Sequence, residues 1–511
     1  MQRTLRTLNS PGEILFRIFI IAVIAMGIVL RASKYLPGWS MRGDELAVTR
    51  NLISRSALDL VTRPLDDEQA APFGFLLLSK TVMTLFGRSE YVLRIISFIS
   101  GCASLVLMYR LLAKTCDRYG TLFALTAFAL SYYLIYYSAE LKQYASDVLI
   151  CIILALFFHN HISRETNARD FWQLGVAGAL GICFSHPAIF VVIAIGCTLV
   201  IHYRRERKKL LWVSIVGFIW AGLFLLIYLI LLRKQTGSEY LITFWRNLQS
   251  FMPMPPWKDP AWFPGALMYL FSTLSGLAQV MYFVVPLYLY GLWMFFKEKR
   301  WQWITFTSIT ILLNMVVSGF EKFPFHGRLI IYLLPLVFLV FGKGLDELVR
   351  QFSNRNLANA VYAALFILLL SPSVNTINNF LFTHSYLQDD IKPVLIFLEE
   401  NQQSGDLVYL YHYINRQFEY YAPSYNLQGL VTISGEDHSR NGKKYQDELS
   451  SLPQGQRIWF LFSFVGETRI DKGRKMNERE YILDYLGEHG SLVTEFYSTN
   501  KASSAHLYIL K

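Results

Sequence analysis

The 511-residue chain contains 53% apolar and only 17% charged residues, whereas an average soluble domain has roughly 25% charged residues. Three or four soluble domains could not cover their surfaces with so few charges, and so high an apolar content also excludes a disordered or collagen-like chain. The sequence is therefore predicted to be a membrane protein. Its five cysteines lie in or beside apolar segments without a disulfide or metal-binding spacing, and they are predicted to be small buried side chains.

The charge is divided unevenly along the chain. Residues 1–383 carry 35 basic and 20 acidic side chains, whereas residues 384–511 carry 13 basic and 17 acidic ones. Because the basic residues are scattered in short loops, we expect no nucleic-acid partner. The division predicts a transmembrane domain over residues 1–383 and a soluble extracytoplasmic domain over residues 384–511.

Eleven segments approach the about 20 apolar residues that a helix needs to cross a bilayer. They lie near residues 14–31, 92–113, 119–137, 143–161, 171–186, 187–203, 210–232, 279–296, 301–318, 328–345 and 357–373. The stretch 171–203 is either two short helices hinged at His186-Pro187 or one long kinked helix. The first segment has no small-x-small cleavage site and is predicted to be an uncleaved anchor.

Basic clusters recur in alternate loops, as the positive-inside rule requires of cytoplasmic loops. They are Arg3/Arg6, Lys114/Arg118, Arg164/Arg169, Arg204–Lys209, Lys297/Lys299/Arg300 and Arg350/Arg355. The pattern predicts a multi-pass protein of the inner (plasma) membrane with a cytoplasmic N-terminus. Two long loops, 34–91 and 233–280, then lie outside, and their short apolar stretches Phe73–Phe86 and Trp262–Leu277 are predicted to be helices that lie in the interface or fold into a cavity.

The last 128 residues have the alternating pattern of an α/β domain. Helical spacing covers 391–401 and 478–487, and strand-like runs cover 406–411, 457–462, 492–497 and 506–510. The alternation predicts a small, largely parallel sheet. No glycine-rich phosphate loop opens these helices, so we expect a supporting or recognition domain without a catalytic signature.

The first outer loop contains adjacent carboxylates, Asp44 and Glu45, directly after a span. Crowded carboxylates near a low-dielectric surface bind protons more tightly, which suits a general base. Considered alone, the pair could equally be a solvated acidic turn. Further motifs follow at the same predicted face: Pro72-Phe-Gly-Phe, Gly87–Arg94 (Gly-x-Ser-Glu-x-x-x-Arg), Tyr137–Tyr144 (Tyr-Ser-x-Glu-x-Lys-x-Tyr) and Arg328 before a Tyr-Leu-x-Pro span.

In this order, the motifs resemble the polytopic GT-C glycosyltransferases of the protein-O-mannosyltransferase and aminoarabinose-transferase kind (family 39). The resemblance implies an enzyme that takes a sugar from a polyprenyl-phosphate carrier on the extracytoplasmic side. It implies Asp44 as the base that deprotonates an acceptor hydroxyl and Glu45 as a residue that positions the acceptor. The acceptor would be a lipid, a glycan or a protein.

The lipid phosphate leaves as an anion and needs cations to stabilise it. Arg94, Lys142 and Arg328 are predicted to supply them, although interfacial snorkelling would also explain their positions. Glu140 and Asp147 occupy positions of a second acidic group. An acid inside a span is a functional hypothesis by default, and the alternative for Asp147 is an ion pair with Lys142.

His326 lies beside Arg328 and is either a substrate contact or an ordinary hydrogen-bonding group. No clustered histidine or Asp-x-Asp pattern suggests a metal, so we expect no cofactor and no dependence on divalent metal ions. The competing interpretation is a non-enzymatic transporter or lipid-binding protein. Transporters favour internal repeats and charges at the midplane, whereas this chain shows no repeat between its halves and its charges cluster at one membrane edge.

Overall fold

The computed structural model describes residues 11–384, 390–470, 474–499 and 501–511. Contacts divide these residues into two units. The membrane unit consists of the described residues up to Pro37 and of Val48–Thr383, and the tail unit consists of Gly38–Ala47 and the described residues from His384 to Lys511. Arg3 and Arg6 of the first predicted cytoplasmic cluster lie outside the described residues.

The described part of residues 11–383 is almost entirely helical. Its α-helices are Pro11–Tyr35, Gly43–Ser54, Ala57–Thr62, Phe73–Phe86, Glu90–Thr115, Arg118–Leu130, Tyr132–Tyr136, Tyr144–Ser163, Ala168–Phe184, Ala188–His202, Arg207–Ile227, Arg233–Gln235, Glu239–Asn247, Trp262–Met268, Met281–Lys297, Trp301–Gly319, Leu334–Arg350, Arg355–Leu370 and Ser373–Asn378. Short 3₁₀ and π turns extend several of them, among them Tyr137–Ala139, Tyr228–Leu232, Tyr269–Leu274 and Gly327–Leu333.

Seven helices in the described residues are long and apolar enough to cross a membrane, and the number rises to nine if each of two bent pairs is one span. The predicted segments 171–186 and 187–203 are two separate helices of 17 and 15 residues, divided at Ser185–Pro187. Both are shorter than a typical span, because the break at the proline interrupts the apolar stretch. The predicted fold, a polytopic helical membrane protein with a small terminal sheet domain, is confirmed.

The first bent pair interrupts the predicted span 119–137, whereas the second bend lies at the end of the predicted span 357–373. Arg118–Leu130 and Tyr132–Ala139 meet at 56°, and Arg355–Leu370 and Ser373–Thr383 meet at 54°. The second bend coincides with Pro372. The first lies at Ser131, where the sequence has no proline or glycine that would predict a bend.

One end of the membrane unit, which we call the basic end, is joined by ion pairs between helices. Lys343 donates to Glu298 at 2.6 Å and to Glu347 at 2.9 Å, and it is 4% exposed. Further ion pairs join Arg118 to Glu13 and Arg350 to Asp117. The helix ends that the positive-inside rule assigns to the cytoplasm therefore lie together.

The tail unit contains a five-stranded sheet. Its strands in chain order are β1 Leu407–Leu410, β2 Val431–Ser434, β3 Arg457–Phe462, β6 Gly490–Tyr497 and β7 Ser504–Leu510, and a separate two-stranded sheet pairs β4 Glu467–Arg469 with β5 Lys475–Asn477. The helices of the unit after residue 390 are Lys392–Asn401, Asn415–Tyr421, Lys443–Ser450 and Glu478–His489.

The prediction of a largely parallel sheet is wrong for half of it. The strand order is β2-β1-β3-β7-β6; β1 runs parallel to β2 and β3, whereas β7 runs antiparallel to both β3 and β6. Only a short turn joins β6 to β7, and so short a connection permits an antiparallel hairpin but no parallel crossover. The buried side chains of β3, including Trp459 and Phe460, form the centre of this unit's core.

Candidate active site

The end of the membrane unit opposite the basic end, which we call the motif end, begins with a buried ion pair. Lys34 in the last turn of the first span donates to the Glu140 carboxylate at 2.9 Å and to the Tyr136 carbonyl at 3.0 Å. Its ammonium group also lies 3.2 Å from the centroid of the Tyr136 ring. Both charged side chains are 7% exposed. Glu140 therefore has a cationic partner that the sequence motif does not contain.

Lys142 lies in the same turn and is 4% exposed. Its ammonium group donates to the Gln69 side-chain oxygen at 2.5 Å, and its carbonyl accepts a hydrogen bond from Ser97 at 2.9 Å. The neighbouring Gln143 donates to the Ala70 carbonyl at 3.2 Å. The segment before Pro72 is thus held against the 140–143 turn, so two of the predicted motifs are in contact.

Arg328 lies at the start of the 3₁₀ turn Gly327–Leu333 and is partly buried. Its guanidinium is 5.6 Å from the centroid of the Tyr144 ring, a distance typical of a cation–π contact. Tyr144 packs edge-on against Tyr137 at 5.0 Å. The ring contacts continue through a tyrosine cluster, which consists of Tyr132, Tyr133, Tyr136, Tyr137 and Tyr144.

Arg94 lies in the second turn of the Glu90–Thr115 helix and is 4% exposed. The helix begins at Ser89, whose side chain accepts a hydrogen bond from the Val92 N–H. Ser97, one turn further along, is the residue that binds the Lys142 backbone. The helix end that carries Arg94 is therefore part of the motif end.

Asp147 lies in the first turn of the Tyr144–Ser163 span and is 5% exposed. It interacts with Ser185 at the break before the Ala188–His202 helix. Its Oδ1 atom has no hydrogen-bond partner, and no ion pair joins it to Lys142, among the residues that the structure describes. The alternative interpretation of Asp147 as the ion-pair partner of Lys142 is therefore wrong.

His326 stacks on Tyr269, with ring centroids 4.8 Å apart and planes 12° apart. Burial lowers the pKa of His326 from its ordinary value of 6.5. The imidazole is therefore neutral at pH 7, and it adds no positive charge next to Arg328.

The two adjacent carboxylates of the first outer loop belong to the tail unit. Asp44 and Glu45 lie in the first turn of the Gly43–Ser54 helix, where negative charge is favourable to the helix dipole. Asp44 is partly exposed, whereas Glu45 is fully buried and accepts a hydrogen bond from the Arg42 N–H at 3.2 Å. Of the pair, Asp44 is therefore the more exposed carboxylate.

Within the tail unit, residues after 384 hold the segment that precedes these carboxylates by several hydrogen bonds. The Met41 N–H donates to the Tyr421 hydroxyl at 2.8 Å, and the Met41 carbonyl accepts from Gln417 at 3.1 Å. Ser40 donates to Asp390 at 2.5 Å. A domain in which the sequence shows no catalytic signature therefore fixes the acidic pair of the motif.

Several residues of these arrangements were not found from the sequence. Lys34 and Gln69 belong to no motif that the sequence analysis singled out. The repeated tyrosines at 132–137 were the available signal for the tyrosine cluster. Arg31 is a further residue that was not identified from the sequence. It lies inside a span, it is 1% exposed, and its Nη1 donates to the Gly27 and Ala129 carbonyls.

Among the described residues, no group of three or more His, Cys, Asp or Glu side chains is arranged to hold a metal ion. The motif end instead contributes cationic side chains. Such an arrangement suits the binding of a phosphate anion.

Comparisons with known proteins find a family match for part of the chain. Residues 70–232 match the family model of the dolichyl-phosphate-mannose-protein mannosyltransferases. The matched range includes Arg94, Glu140, Lys142 and Asp147. No curated protein sequence matches the chain.

Among solved structures, the chain is similar to ArnT from Cupriavidus metallidurans in its apo state, with 13% identity, 98% of each chain covered and a TM-score of 0.48. It is also similar to the same protein bound to undecaprenyl phosphate, with 12% identity, 98% of each chain covered and a TM-score of 0.47. The oligosaccharyltransferase of Archaeoglobus fulgidus is a third, with 11% identity, a TM-score of 0.49, and 87% of this chain and 69% of that chain covered.

The family match lies over the part of the chain that contains most of the motifs on which the sequence prediction rests. It confirms the predicted resemblance to the protein-O-mannosyltransferase type over residues 70–232.

Proposed function

We propose that the chain transfers a sugar from a polyprenyl-phosphate donor to an acceptor hydroxyl on the extracytoplasmic side of the membrane. The observation that carries the proposal is the convergence at the motif end. Three segments that are far apart in sequence bring Lys34, the turn with Glu140 and Lys142, and Arg328 into one region of the membrane unit. A structural ion pair alone would not require the additional cations.

The reaction forms a bond between the acceptor oxygen and the anomeric carbon and breaks the bond from that carbon to the phosphate oxygen. Asp44 takes the proton of the acceptor hydroxyl as its oxygen attacks. Arg94, Lys142 and Arg328 stabilise the phosphate that leaves with the electron pair. In this proposal Glu45 positions the acceptor; its side chain is buried and accepts a hydrogen bond from the Arg42 N–H.

Asp147, Glu140 and His326 complete the proposed site. Glu140 holds Lys34 in place, whereas Asp147 is buried and has an oxygen without a partner among the described residues. His326, neutral on its stacked ring, can contact the donor without adding charge. The acceptor is proposed to be a lipid, a glycan or a protein with an exposed hydroxyl.

The replacement Asp44→Asn tests the base directly, because it keeps the side-chain volume but removes the proton acceptor. We expect the transfer rate from a polyprenyl-phosphate sugar to fall by about 10²- to 10⁴-fold. Asp259→Asn, at an exposed acid of the other long loop, is the matched control and should be silent. Elution volume and thermal unfolding in detergent check folding, and a wild-type rate in a folded Asp44→Asn variant would refute the base assignment.

The proposal includes no metal cofactor, because lysine and arginine side chains carry the charge of the leaving phosphate. Transfer is therefore expected to continue in excess EDTA. Loss of activity that Mg²⁺ or Mn²⁺ restores would contradict this part of the proposal.

The proposed orientation has a cytoplasmic N-terminus and the tail domain outside, in the inner (plasma) membrane. A cysteine introduced at the exposed Ser451 should react with a membrane-impermeant maleimide in intact spheroplasts, whereas one at the exposed Arg205 should react only after lysis. The reverse labelling pattern would overturn the orientation.

A further inference from the structure

A groove of about 870 Å³ runs between two neighbouring helices of the membrane unit, Ala188–His202 and Arg207–Ile227. Its lining extends from Ile189 to Ile201 on one helix, which corresponds to about 18 Å of helix length. The volume lies within the roughly 300–1,000 Å³ of ordinary small-molecule sites. The lining residues are almost all apolar, and none of them belongs to the candidate active site.

The groove is open because glycine residues lie along its walls, at positions where larger side chains would fill the space. A Cβ atom added at Gly196 or Gly217 would meet no atom within 4 Å. At the rim, Val200 is 46% and Leu225 is 55% exposed. In a chain that crosses a membrane, such a groove is accessible to the hydrocarbon chains of lipids.

A basic cluster lies at one end of the groove, since the loop that joins its two walls contains it. Five of the six residues from Arg204 to Lys209 are basic. Lys209 pairs with Glu206 at 2.8 Å. The other four, Arg204, Arg205, Arg207 and Lys208, are exposed and form no ion pair with any described residue.

We propose that this groove is a binding site for an anionic phospholipid, whose acyl chain lies in the groove and whose phosphate contacts the basic cluster. An apolar groove alone would accept the acyl chain of any lipid, so the basic cluster determines which headgroup is preferred. Clusters of lysine and arginine directly beside a membrane helix bind anionic headgroups. The combination of an apolar groove with unpaired basic residues at one end therefore selects a phospholipid with net negative charge over a zwitterionic one.

Native mass spectrometry of the full-length protein tests the proposal, with phosphatidylglycerol and phosphatidylcholine of identical acyl chains as the probes. We expect phosphatidylglycerol to bind at least about tenfold more tightly, as several basic residues near one headgroup imply. Equal affinity for the two lipids would overturn the proposal. So would displacement of phosphatidylglycerol by an equimolar polyprenyl phosphate, which would assign the groove to the donor's isoprenoid chain.

The groove itself is tested by filling it. Gly217→Phe places a ring in the open space, and Gly196→Leu does so from the opposite wall; each should weaken phosphatidylglycerol binding about tenfold or more. Gly222→Phe is the matched control, because Gly222 is on the same helix and equally open but does not line the groove. Unchanged binding in folded Gly217→Phe and Gly196→Leu proteins would refute the site.

The contact with the lipid headgroup is tested by removing basic residues near either end of the helix that begins at Arg207. Arg205→Gln combined with Lys208→Gln should weaken binding about fivefold for each charge removed and abolish the preference over phosphatidylcholine. Arg233→Gln combined with Lys234→Gln, beyond the other end of the groove, should leave both unchanged. If the second pair has the larger effect, the headgroup lies at the opposite end and the proposal is wrong.

Discussion

The two ends of the membrane unit use cationic side chains in different ways. At the basic end, Lys343 binds two carboxylates and connects neighbouring helices. At the motif end, Lys142 contacts an amide oxygen and Arg328 an aromatic ring. The carboxylates at the basic end hold neighbouring helices together. The contacts at the motif end join segments that the proposed function assigns to the binding of the donor phosphate.

In the comparison of the two ends, the largest expected effect is on the transfer rate and comes from Arg328. Arg328→Ala should lower transfer by about 10²- to 10³-fold, the usual cost of one lost charge-stabilising group. Arg328→Lys should retain part of the rate, since lysine keeps the positive charge but lacks the planar guanidinium group that can donate two hydrogen bonds to a phosphate. Initial rates with a polyprenyl-phosphate sugar measure both. Arg350→Ala at the basic end is the control, and an equal loss of rate there would erase the distinction between the ends.

The next effect concerns stability at the motif end. Lys34→Met leaves Glu140 buried without its cation and should cost about 3–5 kcal/mol of unfolding free energy. The double variant Lys34→Met/Glu140→Gln removes both charges and should recover most of this loss. Denaturant unfolding in detergent provides the measurement. Additive losses in the double variant would show that the two side chains are not energetically coupled.

A smaller loss of stability is expected for Lys343→Met at the basic end, about 2–3 kcal/mol. Glu298 is 29% exposed, so water can solvate it, and Arg350 remains 2.5 Å from Glu347. The transfer rate per folded molecule should not change. A large loss of rate would mean that the basic end takes part in catalysis.

The smallest expected effect comes from the tail unit. Tyr421→Phe removes the hydrogen bond to the Met41 N–H and should cost about 1 kcal/mol. Because Met41 precedes the turn that carries Asp44, we also expect a several-fold lower transfer rate. Tyr485→Phe, also in the tail unit, is the matched control. Identical rates in the two variants would argue against a positioning role of the tail domain.

The sequence predicts elements best where apolar periodicity is continuous. The Phe73–Phe86 helix and strand β3 have the predicted bounds, because each is a largely apolar segment of the length typical of its element. Strand β2 was missed, since it is four residues long and mostly exposed, so no burial pattern marks it. The bend at Ser131 was missed because no proline or glycine lies there.

The candidate site was predictable in residue type but not in pairing. Motif order identified Glu140 and Lys142, whereas the partners Lys34 and Gln69 come from distant segments with no distinguishing pattern. Alternation of basic loops did predict which helix ends share a side of the unit. Side-chain partners depend on packing between helices, and a single sequence reports that only indirectly.

The assignment of Gly38–Ala47 to the tail unit has a consequence for protein engineering. The segment with the acidic pair is not a portable part of the transmembrane domain, although it follows the first span directly in sequence. A chimera that receives the tail domain of a relative should receive residues 38–47 from the same donor. If only the residues from 384 onward are exchanged, the turn with Asp44 and Glu45 is combined with a tail domain whose contacting residues belong to a different turn.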